Sequence, residues 1–143
     1  MKRFFLLTII LTVVVAGEVG AQEAASASKR ANQQYVLFES ERDKGTNVTA
    51  MYDYLMDSYE NFMKVVEAPD NSQYIGGAKN RLKALYPYLL NGAVYYSEQK
   101  QPSQALDFAA AYIDMPQMQL FRSELLPKDN RYASVVYYAA DRK

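Results

Sequence analysis

No cysteine, histidine or tryptophan occurs among the 143 residues. Lack of cysteine excludes a disulfide framework, a zinc ribbon and a thiol nucleophile. Lack of histidine removes the Ser-His-Asp triad, the HExxH zinc site and the imidazole base. Neither sign of charge prevails, because 16 Lys+Arg balance 16 Asp+Glu. No bulk field is therefore available to recruit nucleic acid or an anionic membrane. These absences point away from most small-enzyme chemistries and from a bound cofactor or metal. What is present is a half-apolar composition carrying 13 tyrosines.

The first segment reads as an export signal. Lys2 and Arg3 precede the stretch Phe4 to Ala16, in which only Thr8 and Thr12 are polar, and small residues follow up to Val19-Gly20-Ala21. A basic start, an apolar run and small residues before a cut define a secretory signal peptide. As a helix the apolar run covers only about 20 Å, short of the roughly 30 Å hydrocarbon core, so a permanent membrane anchor is the weaker reading. Cleavage is expected after Ala21, with no cysteine at the cut to take a lipid. A processed chain of 22–143 loses Lys2, Arg3 and Glu18, leaving 14 basic and 15 acidic groups. Its size allows one domain's core, held by packing alone. A cysteine-free exported chain fits the bacterial envelope, periplasmic or secreted, better than the eukaryotic secretory route.

The remainder reads as all-α. Residues 22–34 are Ala, Ser, Gln and charge, and a flexible entry is expected there. A short helix then places Ala31, Tyr35 and Phe38 on one face and ends before Asp43-Lys44-Gly45. Asn47 is a good N-cap for the next helix. In it Tyr52, Leu55, Met56, Tyr59, Phe62, Met63 and Val66 recur at helical spacing, up to the turn-rich Ala68-Pro69-Asp70-Asn71-Ser72. A third run from near Ser72 carries Leu82, Leu85 and Tyr86. Pro87 is expected to kink it or restart it, because an interior proline costs about 3 kcal/mol and a first-turn proline almost nothing. Pro102 opens a further helix with Ala105, Phe108, Ala109 and Tyr112 in register, and Pro116 closes it. Residues 116–129 read as an irregular connection, followed by a last helix from Tyr132 to Ala140. No strand-like alternation bounded by hairpin turns occurs.

Residues 86–116 resemble a tetratricopeptide repeat, a pattern of Trp-x2-Leu-Gly-x2-Tyr, then Ala-x3-Phe, then Pro. The residues that carry the resemblance are Leu89, Gly92, Ala93, Tyr96, Ala105, Ala109 and Pro116. Leu89 stands in place of Trp, Gly92 in place of Leu and Ala109 in place of the aromatic, and Pro116 comes one residue early. Small Ala93 and Ala105 would let two antiparallel helices approach closely, with Leu89 and Tyr96 filling the space beside them and Gln99-Lys100-Gln101 turning the chain. Fainter echoes are Val94-Tyr95-Tyr96 against Val136-Tyr137-Tyr138, and Ala50 with Tyr54 at the Ala-x3-aromatic spacing. The resemblance implies antiparallel helix pairs in a right-handed helical repeat over 35–143, truncated after the first helix of the last repeat. It also implies a role in protein–protein interaction, since such repeats bind partners on their curved inner surface.

On that reading Val135, Val136, Tyr137 and Tyr138 lack a second helix to pack against. Each large apolar side chain gains about 1.5–3 kcal/mol on burial. Either the 143 residues are the front of a longer array, or the last helix docks on another chain, which makes self-association one outcome; the alternative is folding back onto the Tyr-rich third helix.

Other candidates have plain structural explanations. Asp53, Asp57 and Glu60 share a helix face but lack the loop that would complete a Ca²⁺ shell, so a solvated face is expected. Glu39 and Glu41 could belong to the carboxylate pair of an all-helical cell-wall hydrolase, yet Arg42, Asp43 and Lys44 surround them with charge. Ile75-Gly76-Gly77-Ala78-Lys79 lacks phosphate-loop spacing and any preceding strand. Asn47-Val48-Thr49 is a glycosylation sequon by pattern, better explained by the helix cap. Tyrosines off the main stripes, Tyr54, Tyr88 and Tyr95, together with Val136 and Tyr137, are the residues expected to line a partner surface. The leading expectation is an exported, non-enzymatic helical-repeat adaptor. The rivals are a glycan- or polymer-binding module using its Tyr faces and the cell-wall hydrolase.

Overall fold

The computed structural model describes the backbone of residues 2–142 and the side chains of residues 22–141. The expected signal peptide, 1–21, lies outside the residues whose side chains are described. Five α-helices follow one another: α1 (Lys2–Lys44), α2 (Val48–Glu67), α3 (Ile75–Glu98), α4 (Pro102–Asp114) and α5 (Tyr132–Arg142). Among the described residues there is no strand, and no helix is long and apolar enough to cross a membrane. The fold is all-α, built of packed helix pairs. The chain divides into two compact units, Met1–Arg81 and Leu82–Lys143, with α3 contributing to both.

In the first unit α1 and α2 run antiparallel. Glu23 and Ala27 stand beside Lys64 and Asn61, and further along α1 the Arg30 Nε meets the Asp57 carboxylate at 3.1 Å. Positions thus rise on one helix as they fall on the other. Ala24, Ala27, Ala31, Tyr35 and Phe38 form the buried stripe of α1, against Tyr52, Leu55, Tyr59, Phe62 and Val65 of α2. This corrects the expectation of a flexible segment at 22–34, which is helical throughout. The polar composition concealed three alanines at i, i+3 and i+7, small enough to seat one helix closely on the other. Ser58, fully buried, spans that close approach by donating its hydroxyl to the Ala31 carbonyl at 2.8 Å.

Gly45, at φ +66°, ends α1 in the left-handed region that glycine favours. Asn47 caps α2 as expected, its side-chain oxygen accepting the Ala50 N–H at 3.0 Å. At the other end Asn71 Nδ2 donates to the Val65 and Val66 carbonyls of the last turn at 2.8 and 2.9 Å. Asn47→Ala is expected to cost about 1 kcal/mol, readable as a lower urea midpoint at unchanged slope.

In the second unit α3 runs through Pro87 as one helix, without the expected restart. Proline removes the hydrogen bond to the Lys83 carbonyl. On either side, however, Leu85, Tyr86, Leu89 and Leu90 are fully buried, and their packing outweighs the loss of about 3 kcal/mol. A left-handed Lys100 (φ +58°) turns α3 into α4, with Lys100 N–H donating to Ser97 O and Gln101 N–H to Tyr96 O. This is a Schellman turn in which lysine occupies the usual glycine position. Pro102 then occupies the first turn of α4, as its spacing predicts.

The α3–α4 pair is antiparallel. Tyr86 stacks on Tyr112 at 4.5 Å, and further along α3 Tyr96 stacks on Phe108, earlier in α4, at 5.5 Å. Leu89, Gly92, Ala93, Tyr96, Ala105 and Ala109 are all buried, while Pro116 is half-buried in a 3-10 turn, Met115–Gln117. The helices approach closely at Gly92, where a Cβ would lie 2.4 Å from Phe108 Cδ1. The connection after α4 opens with two 3-10 turns, Met115–Gln117 and Gln119–Phe121, that fully bury Met115 and Phe121. Lys83 Nζ pairs with the Glu124 carboxylate at 2.9 Å across this segment.

Burial pushes the Tyr86 phenol well above the usual tyrosine range, and the nearby Tyr112 and Tyr132 phenols act in the same direction. Its buried hydroxyl has no partner in ordinary hydrogen-bond geometry. Tyr86→Phe is therefore expected to be neutral or stabilising by up to about 1 kcal/mol at pH 7. The raised value means that the folded state holds its proton after the unfolded chain has released it. Stability from this group is intact below the ordinary tyrosine pKa of about 10 and declines as the pH rises beyond it. Urea titrations at pH 8 and pH 11 should show a smaller alkaline loss in Tyr86→Phe than in the parent chain.

Candidate functional site

The second unit contains a groove of about 690 Å³. Its walls come from three helices. Ala93, Val94, Ser97 and Glu98 line it from α3, and Ala109 from α4. On the α5 side it is lined by Arg131 just before the helix and by Ala133, Ser134, Val135, Tyr137 and Tyr138. Small residues make the space: alanine and serine stand where larger side chains would close it.

The direction of α5 follows from its neighbours. Tyr132 packs against Tyr112 at 5.7 Å, and Val135 shares the groove with Ala109, so α5 is antiparallel to α4 and runs alongside α3 in the same sense. A polar cluster fixes where it starts. Asp129 N–H donates to the Tyr112 hydroxyl at 3.2 Å. The Asp129 carboxylate accepts the Arg131 backbone N–H at 2.9 Å and its Nε at 3.1 Å. Arg131 Nη2 in turn donates to the Asn91 side-chain oxygen of α3 at 3.1 Å. The Arg131 side chain, then its backbone N–H, hold the Asp129 carboxyl below its ordinary range. Lys128 lies over the Tyr132 ring at 4.7 Å.

With its start so fixed, α5 presents Val135 and Ala139 inward, where both are buried, and Tyr138 is half-buried. Val135 is thus not bare: the helix folds back within its own unit. Val136 and Tyr137 do remain outside, 37% and 73% exposed. Tyr137 alone among the thirteen tyrosines is exposed, and it forms part of the groove wall.

The five expected partner-surface residues are not gathered at one place. Val136 and Tyr137 stand together on α5, with only Tyr137 in the groove wall. Tyr88 and Tyr95 are half-buried on α3 and outside the groove lining, Tyr95 meeting Tyr96 edge-on at 5.0 Å. Tyr54 belongs to α2 in the first unit. The residues missed at the sequence level are the small ones, Ala133 and Ser134, and the clamp of Asn91, Asp129 and Arg131. Ala133 could have been found from Ala133, Val136, Tyr137 and Ala140, an i, i+3, i+4, i+7 apolar stripe, whereas no pattern marks Ser134.

Acidic candidates fall on solvated helix surface. Glu39 pairs with Arg42 at 3.7 Å and Glu41 with Lys44 at 3.9 Å, each within α1. Asp53 and Glu60 are exposed, and Asp57 is engaged by Arg30. Among the described residues no group of three acidic side chains is placed to hold a metal ion. No protein-family model, curated protein or solved structure matches the chain.

Proposed function

We propose that this chain is an exported, non-enzymatic helical adaptor of the bacterial envelope that seats a peptide or protein segment in the groove of its second unit. The observation that carries the reading is the groove itself: apolar, floored by small residues and edged by an exposed Tyr137. Such a cleft suits helix-in-groove recognition, in which large apolar side chains of one partner fill spaces left by small ones in the other. The resemblance of 86–116 to a tetratricopeptide repeat supports an interaction role, and the leader pattern of 1–21 supports export. A glycan-stacking module is the weaker reading, because Tyr137 is the one exposed tyrosine, and stacking platforms need several rings.

The test is photo-crosslinking from position 137 in the cell that makes the protein, with the same probe at exposed Val48 of the first unit as control. A discrete adduct from position 137 and none from position 48 is the expected result. Equal, diffuse labelling from both would remove the groove from consideration. Detection of the chain in the unprocessed form, retained in the cytoplasm, would remove the export reading.

A further inference from the structure

We infer that the Leu125–Leu126 peptide bond is a processing site, cut by an endoprotease that takes a large apolar residue on the acyl side, and that the cut releases α5. The inference goes beyond the groove and needs no occupant for it.

The first observation is the state of the segment before α5. Of the ten residues from Arg122 to Arg131, Glu124 and Leu126 are half-buried and the rest are exposed. Leu125 is wholly exposed, more so than any other large apolar side chain described. Neither helix nor turn includes 125–129, and Leu125 and Leu126 make no backbone hydrogen bond. Pro127 holds Leu126 in the extended region. An endoprotease binds its substrate as an extended strand, through main-chain N–H and C=O groups that must be free to pair. This stretch offers such groups, with a leucine side chain already in solvent.

The second is that the other connections lack these features. After α1, Gly45 N–H donates to Glu41 O, and Asn47 caps α2. After α2, Asn71 holds the Val65 and Val66 carbonyls, and its own carbonyl accepts Tyr74 N–H. Between α3 and α4 the chain turns through bonded Lys100 and Gln101. Each is short and bonded within itself, so it resists being drawn straight. The segment before α5 is tied at its ends, by buried Phe121 and by Asp129 on Tyr112. Between those ends the part-exposed Lys83–Glu124 pair is a weak restraint.

The third is the consequence. Water adds across the amide: the C–N bond breaks, Leu125 keeps the carboxylate and Leu126 becomes a new amino terminus. Until then the linker holds α5 at an effective concentration on the order of millimolar. Afterwards 126–143 is held by the contacts of Asp129, Arg131 and Tyr132 and by buried Val135 and Ala139. A free helix of 11 residues does not persist in water, so the fragment unfolds on leaving and does not return. Arg131, Val135 and Tyr137 leave the groove wall with it, so the cut ends whatever binding the groove supports.

Chymotrypsin, at low ratio on the chain as recovered from the cell, is the probe, with products read by intact mass. It prefers aromatic residues, and the sequence offers 13 Tyr and 6 Phe. A first cut after Leu125 would therefore be chosen by the fold and not by the sequence. The expected products are a chain ending at Leu125 and the fragment 126–143, which part on size exclusion. Leu125→Asp should slow this cut at least about tenfold, since the enzyme's apolar pocket rejects a carboxylate. Far-UV circular dichroism of that variant should match the parent, because the side chain is wholly exposed. In the cell that makes the protein, a form ending at Leu125 should be recovered from the parent and be missing from Leu125→Asp. First cutting at a tyrosine or phenylalanine, undiminished cutting of Leu125→Asp at this bond, or recovery from the cell of the intact C terminus alone would overturn the inference. None of these outcomes bears on capture from position 137 in the uncut chain, so the groove reading stands or falls separately.

Discussion

Gly92→Ala should lower the stability of the protein by about 2 kcal/mol, although alanine is the better helix former by about 1 kcal/mol. The added methyl would sit 2.4 Å from Cδ1, 2.7 Å from Cε1 and 2.9 Å from Cγ of Phe108. A ring can swing its far edge away, but Cγ is bonded to Cβ and cannot leave without moving the backbone of α4. Overpacking of this kind typically costs about 1–3 kcal/mol. Thermal melting followed at 222 nm should fall by several degrees. The diagnostic is the double substitution: Phe108→Ala should cost less in the Gly92→Ala background than in the parent. The coupling expected between residues in contact is about 0.5–3 kcal/mol. Additive losses would mean that the two helices do not meet at this point.

The second large effect is expected at Ala31. This residue has no exposed surface, and its carbonyl accepts the Ser58 hydroxyl. Ala31→Asp places a carboxylate between α1 and α2 with no partner provided, and should cost about 3 kcal/mol or more. Lys29→Asp, two residues earlier on the exposed side, should change stability by less than about 0.5 kcal/mol. Urea unfolding of the two variants separates a packed 22–34 segment from a loose one, because a loose segment would tolerate both changes equally.

Both predictions bear on what could be read from the sequence. The all-helical class, the Asn47 cap, the Pro102 start and the stripe through Tyr52, Leu55, Tyr59 and Phe62 follow from local rules of periodicity and capping, and they hold. The missed features depend on what a residue faces. Ala24, Ala27 and Ala31 look like a soluble tail until α2 covers them. Pro87 looks like a break until the leucines around it are counted as buried. The tetratricopeptide pattern drew attention to Ala93 and Ala105 as the close approach, and it did not point to the contact of Gly92 with Phe108, a residue adjacent to the Ala109 that the pattern aligned. The candidate site was legible only in part for the same reason. Tyrosine count marks adhesive residues, but a groove is defined by the small residues that fail to fill it.

The polar cluster of Asn91, Tyr112, Asp129 and Arg131 secures α5 at its beginning. Val135 and Ala139 then pack inward along the helix, so α5 is built in most firmly at its root. Amide hydrogens near Ala140 should therefore exchange with solvent sooner than those near Val135, and Asn91→Ala should erase that gradient by freeing the root. Whatever docks beside Tyr137 meets a wall whose footing is the clamp at Arg131.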